Sequence, residues 1–309
     1  MAENTLRLPQ ATAIPNVPKK TPQQSRFSLL SPAIIYLVLL TQIPVLFTLS
    51  YSFSNWNFLR PERTRFVGLD NYTGFVQDSD TLTIIRNTLA FATSVVLLSL
   101  IIGMILALLL NRPFFGRGLA RTLLITPFLI MPTVSAVMWK NMLFSPTFGL
   151  INAFLGIFGT TTIDWINQFP MASIVMIVTW EWTPFMMLIL LAGLQSLVQE
   201  HLEAAQIDGA GPLELFFYVI LPHLRRYIEI GVLLELLFVL NIFGEIFVTT
   251  TGGPANSTTT LTFNIYLEAF KRWNVGRASA YGIIAVILAN VITFVFLRVI
   301  RGNEQKAGT

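Results

Sequence analysis

The sequence predicts an all-α, polytopic membrane protein with six transmembrane helices, and three observations lead there. Of 309 residues, 54% are hydrophobic and 12% charged, with a mean hydropathy of +0.66. Soluble domains carry about 25% charge, so lipid is the expected solvent for this much apolar surface. Six apolar stretches of about 20 residues, the length that crosses a ~30 Å hydrocarbon core, recur along the chain. One polar, glycine-containing segment, residues 199–226, separates the fourth stretch from the fifth.

In order, residues 1–27 hold Pro9, Pro15, Pro18 and Pro22 with little apolar content, and are expected to form a disordered tail. The membrane domain follows over 28–302. Its first span, Leu29–Phe53, has an apolar region too long for a signal peptide, and no small-residue cleavage site follows. The second is Thr88–Leu110. The third, Leu119–Leu143, is interrupted by Pro127, Pro132, Trp139 and Lys140, so neighbouring helices must satisfy the carbonyls its prolines free. Met171–Leu194, Ile228–Val248 and Ala280–Ile300 complete the set, and 303–309 is a short tail.

Lys and Arg orient these spans. Arg7, Lys19, Lys20, Arg26, Arg112, Arg117, Arg121, Arg225, Arg226, Arg298, Arg301 and Lys306 fall on one side, twelve of the 20 basic residues. That bias places both termini and segment 199–226 in the cytoplasm. Loops 55–86, 144–170 and 249–279 then face outward. The second of these has no Lys or Arg and is apolar enough to lie along the membrane; the third carries Tyr266, Phe270, Lys271, Arg272 and Trp273, which suit a protein partner.

Several functions are excluded. The pI of about 9.5 reflects basic residues at span ends, which is topology and not a nucleic-acid surface. With no Cys and only His201 and His223, there is no disulfide, thiol or three-His metal site, and no cofactor is expected. No phosphate-binding Gly-x-x-x-x-Gly-Lys-Ser/Thr loop exists, so the chain does not hydrolyse ATP by itself. No His lies near a Ser or Thr within a span, and Asp164 and Asp208 lack a paired-carboxylate context. The chain reads as a transporter subunit and not an enzyme.

Segment 199–226 reads as a helix–turn–helix outside the bilayer. Ala204 and Ala205, after Glu203, favour helix and allow close approach of another surface. Asp208-Gly209 breaks that helix, and Gly211-Pro212 starts a second. Leu213, Phe217 and Ile220 share its face, and Pro222 makes continuation costly.

At membrane depth, Glu181, Glu235 and Glu245 each cost at least ~2.5–3.5 kcal/mol if charged in hydrocarbon, and such groups usually face a cavity or a partner. Glu235, Phe238 and Ile242 share a helix face, Asn241 and Glu245 lie on an adjoining stripe, and Trp182 and Phe185 stand three apart beside Glu181. Rings beside carboxylates and an amide suit a polyhydroxylated ligand. The acids disfavour an anionic solute. The alternative is that the rings pack on lipid or helices and the acids pair with Lys140 or backbone donors.

The Glu203-Ala204-Ala205, Gly209 and Leu221-Pro222 pattern resembles the cytoplasmic "EAA" loop of binding-protein-dependent ATP-binding-cassette importer permeases. Phe66–Tyr72, Arg86-Asn87-Thr88 and Thr250–Pro254 resemble the maltose-permease-like carbohydrate branch, in particular its F-type subunit, and Pro127–Met142 and Phe243–Thr250 are similar to permeases for mannitol and sorbitol. The resemblance implies a type I importer permease fold in a bacterial inner membrane. It implies as partners a second, G-type permease, two cytoplasmic ATP-binding subunits and a periplasmic solute-binding protein. It assigns ATPase coupling to Glu203, Ala204, Ala205, Asp208, Gly209 and Pro222, with Glu203 meeting a basic residue of the ATPase and Gly209 making the bend. It assigns the solute path to Val178, Glu181, Trp182, Phe185, Glu235, Phe238 and Ile242, to which the spacing of rings and amides adds Asn241. The alternative from the residues is an ion-coupled secondary carrier relaying through Glu181, Glu235 and Glu245, although such carriers usually show inverted repeats and more spans.

Overall fold

Most of the chain is helical, and its computed structural model describes residues 24–307. Among the described residues there is no strand, only isolated bridges between Ser54 and Phe66 and between Asn57 and Asn274. Contacts divide the chain at Phe47. The first unit is the greater part of α1 (Gln24–Ser52), which contains Pro32 and Pro44. The second begins at Thr48 and holds α2 (Asp70–Gln77), α3 (Ser79–Asn111), α4 (Arg117–Leu129), α5 (Pro132–Met138), α6 (Leu150–Gly156), α7 (Trp165–Gln168) and α8 (Pro170–Gln195). After these come α9 (Gln199–Ile207), α10 (Pro212–Glu214), α11 (Leu221–Val239), α12 (Gly244–Thr249), α13 (Leu261–Tyr266) and α14 (Val275–Ala307).

The core of the second unit is the pair α3 and α8, the most extensive helix contact in the chain. Phe91, Ala92 and Val95 pack with Ile174, Val175 and Val178, while Met104, Ala107 and Leu110 pack with Met187, Leu190 and Leu194. Residue numbers rise together along both helices, so they run parallel. α11 returns antiparallel, since Leu224 meets the end of α8 near Gly193 and Val239 joins the cluster of Ile174 and Val178. The ends of α3 and α8 therefore lie with the 199–226 elbow at one end of the helices, and loops 144–170 and 249–279 lie at the other.

Among the described residues, four helices are long and apolar enough to cross a membrane: Leu30–Ser52, Ser79–Asn111, Pro170–Gln195 and Val275–Phe296. The expected third span is two helices bent by 100°. Ile130 and Met131 take extended backbone, the conformation that residues ahead of a proline favour, and Pro132 opens α5. The expected fifth span also breaks, between α11 and α12, where Phe243 leaves helical geometry. The hydroxyl of Thr262 donates to the Leu240 carbonyl at this break, 2.8 Å away, so the interruption leaves no orphan there. Residues 24–27 and 303–307, read as tails, are helical turns of α1 and α14; residues 1–23 and 308–309 lie outside the described residues.

Two of the sequence motifs act as helix-end fasteners. The buried Asn71 amide donates to the Ser52 and Ser54 carbonyls at 2.8 and 2.9 Å, closing the last turn of α1. Asn87, near the start of α3, donates to the carbonyls of Asn256 and Thr259, and Thr88 accepts from the Leu261 amide at 2.9 Å.

Candidate functional site

Segment 199–226 forms a solvent-exposed elbow. α9 ends as a Schellman turn: the Asp208 cap is followed by Gly209 at φ +91°, whose N–H bonds the Gln206 carbonyl, while the Ala210 N–H reaches back to Ala205. That backbone conformation is costly for any residue with a Cβ, which is why glycine stands there. Glu203, Ala204, Asp208 and Gly209 are exposed and Ala205 is half-buried. The Gly211 N–H bonds Glu214 at 2.7 Å, opening α10.

Beyond α10 the structure departs from expectation. Pro222 does not end the second helix. A π-turn over Leu215–Ile220 joins α10 to α11, so helical backbone runs on from Pro212 to Val239. The wider π-turn ends just ahead of the proline, relieving the clash its ring would make with the Tyr218 carbonyl in a regular α-helix. The change of period also splits the expected face. Ile220 packs into the core with Phe216, while Leu213, Phe217, Tyr218 and Ile207 point to solvent, Ile207 being 86% exposed.

Polar contacts fasten the elbow beside the end of α8. Ser196, just past α8, donates to the Gly193 carbonyl and lies 3.0 Å from His223 and 2.8 Å from the Tyr227 hydroxyl. Any side chain at Gly193 would meet Leu224 and Tyr227 at 2.7 Å, so α8 and α11 touch there at glycine-only distance.

At mid-helix the structure brings together three of the expected solute-path residues. Trp182 and Phe185 of α8 and Phe238 of α11 form one ring cluster with Phe128 of α4; the Trp182–Phe238 centroids are 5.2 Å apart and stacked, and Phe128 lies 5.6 Å from Trp182 and 5.8 Å from Phe185. Trp182 and Phe185 are partly exposed and Phe128 and Phe238 exposed, so the rings present open faces. Phe128 was not singled out from sequence; its signal was its place beside Pro127, at the bend.

The carboxylates separate from the rings. Glu181, Glu235 and Glu245 are buried in the helix packing, Glu235 completely (0% exposed). Ser99 of α3 lies next to Glu235, and Ser135 of α5 and Glu245 of α12 lie next to Glu181. Among the described residues neither Glu235 oxygen is hydrogen-bonded, nor is Oε1 of Glu181. Ser99 and Ser135 were missed because a lone serine in an apolar span carries no pattern. Val178 and Ile242 are core residues. Asn241 is exposed, and its amide donates to Leu237 one turn back, capping α11. Among the described residues Lys140 pairs with no acid: its Nζ donates to the Val248 and Thr249 carbonyls at 3.0 and 3.1 Å, ending α12.

In loop 249–279, Tyr266 packs among Phe243, Phe247, Phe263 and Phe270, whereas Phe270 and Trp273 expose much of their surface. Glu268, overlooked in sequence because it sits outside the spans, is buried and binds Arg272 at 2.6 Å with Arg277 at 3.7 Å; Arg277 also reaches Asp78 at 3.3 Å. No group of three or more His, Asp or Glu able to hold a metal occurs among the described residues.

The family model described as binding-protein-dependent transport system inner membrane component matches residues 99–305. A probable ABC transporter permease protein, y4oQ, of Sinorhizobium fredii is 38% identical over 85% of each chain. The trehalose/maltose transport system permease protein MalF of Thermococcus litoralis is 34% identical over 88% of this chain and 90% of its own. The fold is similar to that in the crystal structure of a bacterial alginate ABC transporter in complex with an alginate pentasaccharide-bound periplasmic protein, with a TM-score of 0.74 at 21% identity over 88% of this chain and 92% of that one.

Proposed function

We propose a function from one established premise: the chain belongs to the family of binding-protein-dependent transport system inner membrane components. It is a membrane transport subunit and not an enzyme. In the proposed assembly it is the F-type permease of an ATP-driven carbohydrate importer in a bacterial inner membrane, paired with a G-type permease, two ATP-binding subunits and a periplasmic solute-binding protein. It crosses the membrane six times, with α4–α5 and α11–α12 each counted as one interrupted crossing. Both termini and the elbow are cytoplasmic, in keeping with the Lys and Arg bias.

The observation that carries this reading is the elbow, an exposed α9 ended by a glycine-dependent turn beside uncovered Ile207, Leu213, Phe217 and Tyr218. Exposed apolar side chains on a polar segment mark a protein-binding surface. ATPase closure pushes on Glu203–Gly209, and the fastening at Ser196, His223 and Tyr227 passes the movement to α8 and α11. These helices carry the ring cluster, so their displacement alternates its access between the two sides.

The solute is a neutral polyhydroxylated molecule, a sugar or a polyol such as sorbitol or mannitol. The rings of Trp182, Phe185 and Phe238 cover C–H faces and the exposed Asn241 adds an amide, while Glu181 and Glu235, buried in the helix packing, stay out of contact with the solute. The trehalose/maltose relative supports the sugar class, and the Pro127–Met142 and Phe243–Thr250 stretches support the narrower polyol assignment.

Because the chain has no cysteine, Glu203→Cys creates a unique crosslinking site. A short crosslinker in intact membranes is expected to join it to an ATP-hydrolysing polypeptide. Labelling of that cysteine from the outer face, or absence of any ATPase adduct, would sink the assignment.

A further inference from the structure

A cavity of about 540 Å³ lies at the end of the helices opposite the elbow, between residues 140–146, the 164–167 turn and the 249–254 turn. Its size falls within the ~300–1,000 Å³ of small-molecule sites. Its walls differ from those of the ring cluster. Lys140, Asn141, Asp164, Asn167 and Thr251 supply ammonium, amide, carboxylate and hydroxyl groups from three separate segments. One cation and one anion leave it without net charge.

The polar groups are held in place. Lys140 is fixed by its two bonds to the end of α12, and an ammonium has a third hydrogen to offer. Both Asp164 oxygens accept from Asn167, at 3.2 and 2.7 Å, each keeping acceptor capacity. Asn141 is exposed and its side chain makes no hydrogen bond among the described residues, so its amide is available. Phe144, almost fully buried, forms part of the lining and stacks at 5.8 Å on Trp165 and lies 5.2 Å from Trp139, giving the cavity a rigid aromatic side.

We propose that this cavity is a separate subsite for a neutral polyhydroxylated solute, occupied before the ring cluster, in which Asn141 and Asp164 bind hydroxyl groups. Donors and acceptors on three walls suit a molecule whose hydroxyls point in every direction, and the neutral balance excludes selection for an anion. α12, about 9 Å long from its six residues, leads inward from the cavity at Thr249 to Glu245 beside Glu181, and so towards the helix that bears Trp182. The inference rests on the solute class proposed above.

The test uses the full chain in lipid nanodiscs, with trehalose and sorbitol as probes and saturation transfer from protein to sugar protons as the readout. In a Trp182→Ala background, which weakens the ring platform, transfer is expected to persist. Adding Asn141→Ala or Asp164→Asn is expected to weaken affinity about tenfold, the loss of roughly one hydrogen bond to a polar or charged partner. Asparagine also caps a helix, so Asp164→Asn retains the start of α7, and Asn141 holds up no other group. Complete loss of transfer in Trp182→Ala alone, unchanged affinity in both added variants, or no transfer to either sugar would each overturn the subsite. So would variants that change only crosslinking to a solute-binding protein, which would make the cavity a protein-docking site. The Glu203→Cys crosslink separates the two readings: if it reaches the ATPase while sugar transfer fails, the subsite alone falls.

Discussion

The elbow at 199–226 and the turn at 250–260 are both polar, both contain glycine and proline, and stand at opposite ends of the helices, yet they are built in opposite ways. The elbow satisfies its backbone locally. Ala210 bonds Ala205, Gly209 bonds Gln206 and Gly211 bonds Glu214, so its shape needs little from the rest of the chain. The 250–260 turn depends on distant residues. Asn87 holds the Asn256 and Thr259 carbonyls, Asp80 holds the Asn256 amide at 2.8 Å, and Thr88 holds Leu261. Thr250, Thr258, Thr259 and Thr260 are buried, with the Thr250 and Thr258 hydroxyls 2.7 Å apart. A locally closed segment leaves its outer surface free for another protein, whereas a remotely pinned one is part of the core and can form a fixed cavity wall.

Gly209→Val attacks the elbow at its left-handed residue and is expected to have the largest effect. No atom lies within 4 Å of the added Cβ, so the cost is backbone strain of about 1–3 kcal/mol at a local turn and not a clash. The protein should still reach the membrane and its complex should still hydrolyse ATP, while solute uptake falls to background. Normal uptake of labelled sugar would break the lever reading.

Asn87→Leu attacks the pinned turn, removing two bonds and stranding the Thr259 carbonyl, while the Asn256 carbonyl keeps the Thr259 N–H. A loss of about 1–3 kcal/mol is expected, seen as a lowered melting transition in detergent, because a buried unsatisfied group costs about that much. An unchanged melting curve would show that the turn is not held from α3.

Trp182→Ala lies between the two ends. It should shift preference among trehalose, maltose, sorbitol and mannitol by about tenfold, as expected when one well-placed ring contact is lost, with ATPase assembly intact. Identical relative uptake rates in the variant would remove Trp182 from the path. Ile207→Ser is the mildest for the fold: this exposed side chain should change melting by less than ~0.5 kcal/mol, yet reduce co-purification of the ATPase. Undiminished co-purification would leave the exposed apolar face without a role in docking.

Legibility followed the same division. Gly209 and Gly211-Pro212 were read correctly as turn and restart because those conformations are set by residues within one helical turn. Pro222 makes continuation costly in a regular helix, yet the helix continues, since the π-turn that accommodates it shows only in the backbone hydrogen-bond register. The break after Phe238 was also hidden. Asn241-Ile242-Phe243 looks like ordinary span sequence, and the Thr262 hydroxyl that makes the interruption tolerable lies 22 residues on. Trp182, Phe185 and Phe238 were found by spacing, but Phe128 joined them only because α4 bends at Ile130.

By itself the sequence determined the helical class and the turn and restart of the elbow, because composition, period and caps act over a few residues. Tertiary structure alone decided that Glu181 and Glu235 turn into helix packing while the neighbouring rings face outward, that Lys140 caps α12 instead of pairing an acid, and that residues 141, 164 and 251 surround one cavity. Those outcomes depend on which helices cross and on bonds such as Asn87 to Asn256, 169 residues apart. No local pattern records a contact of that span, since the energy that selects it is released only when the whole bundle has assembled.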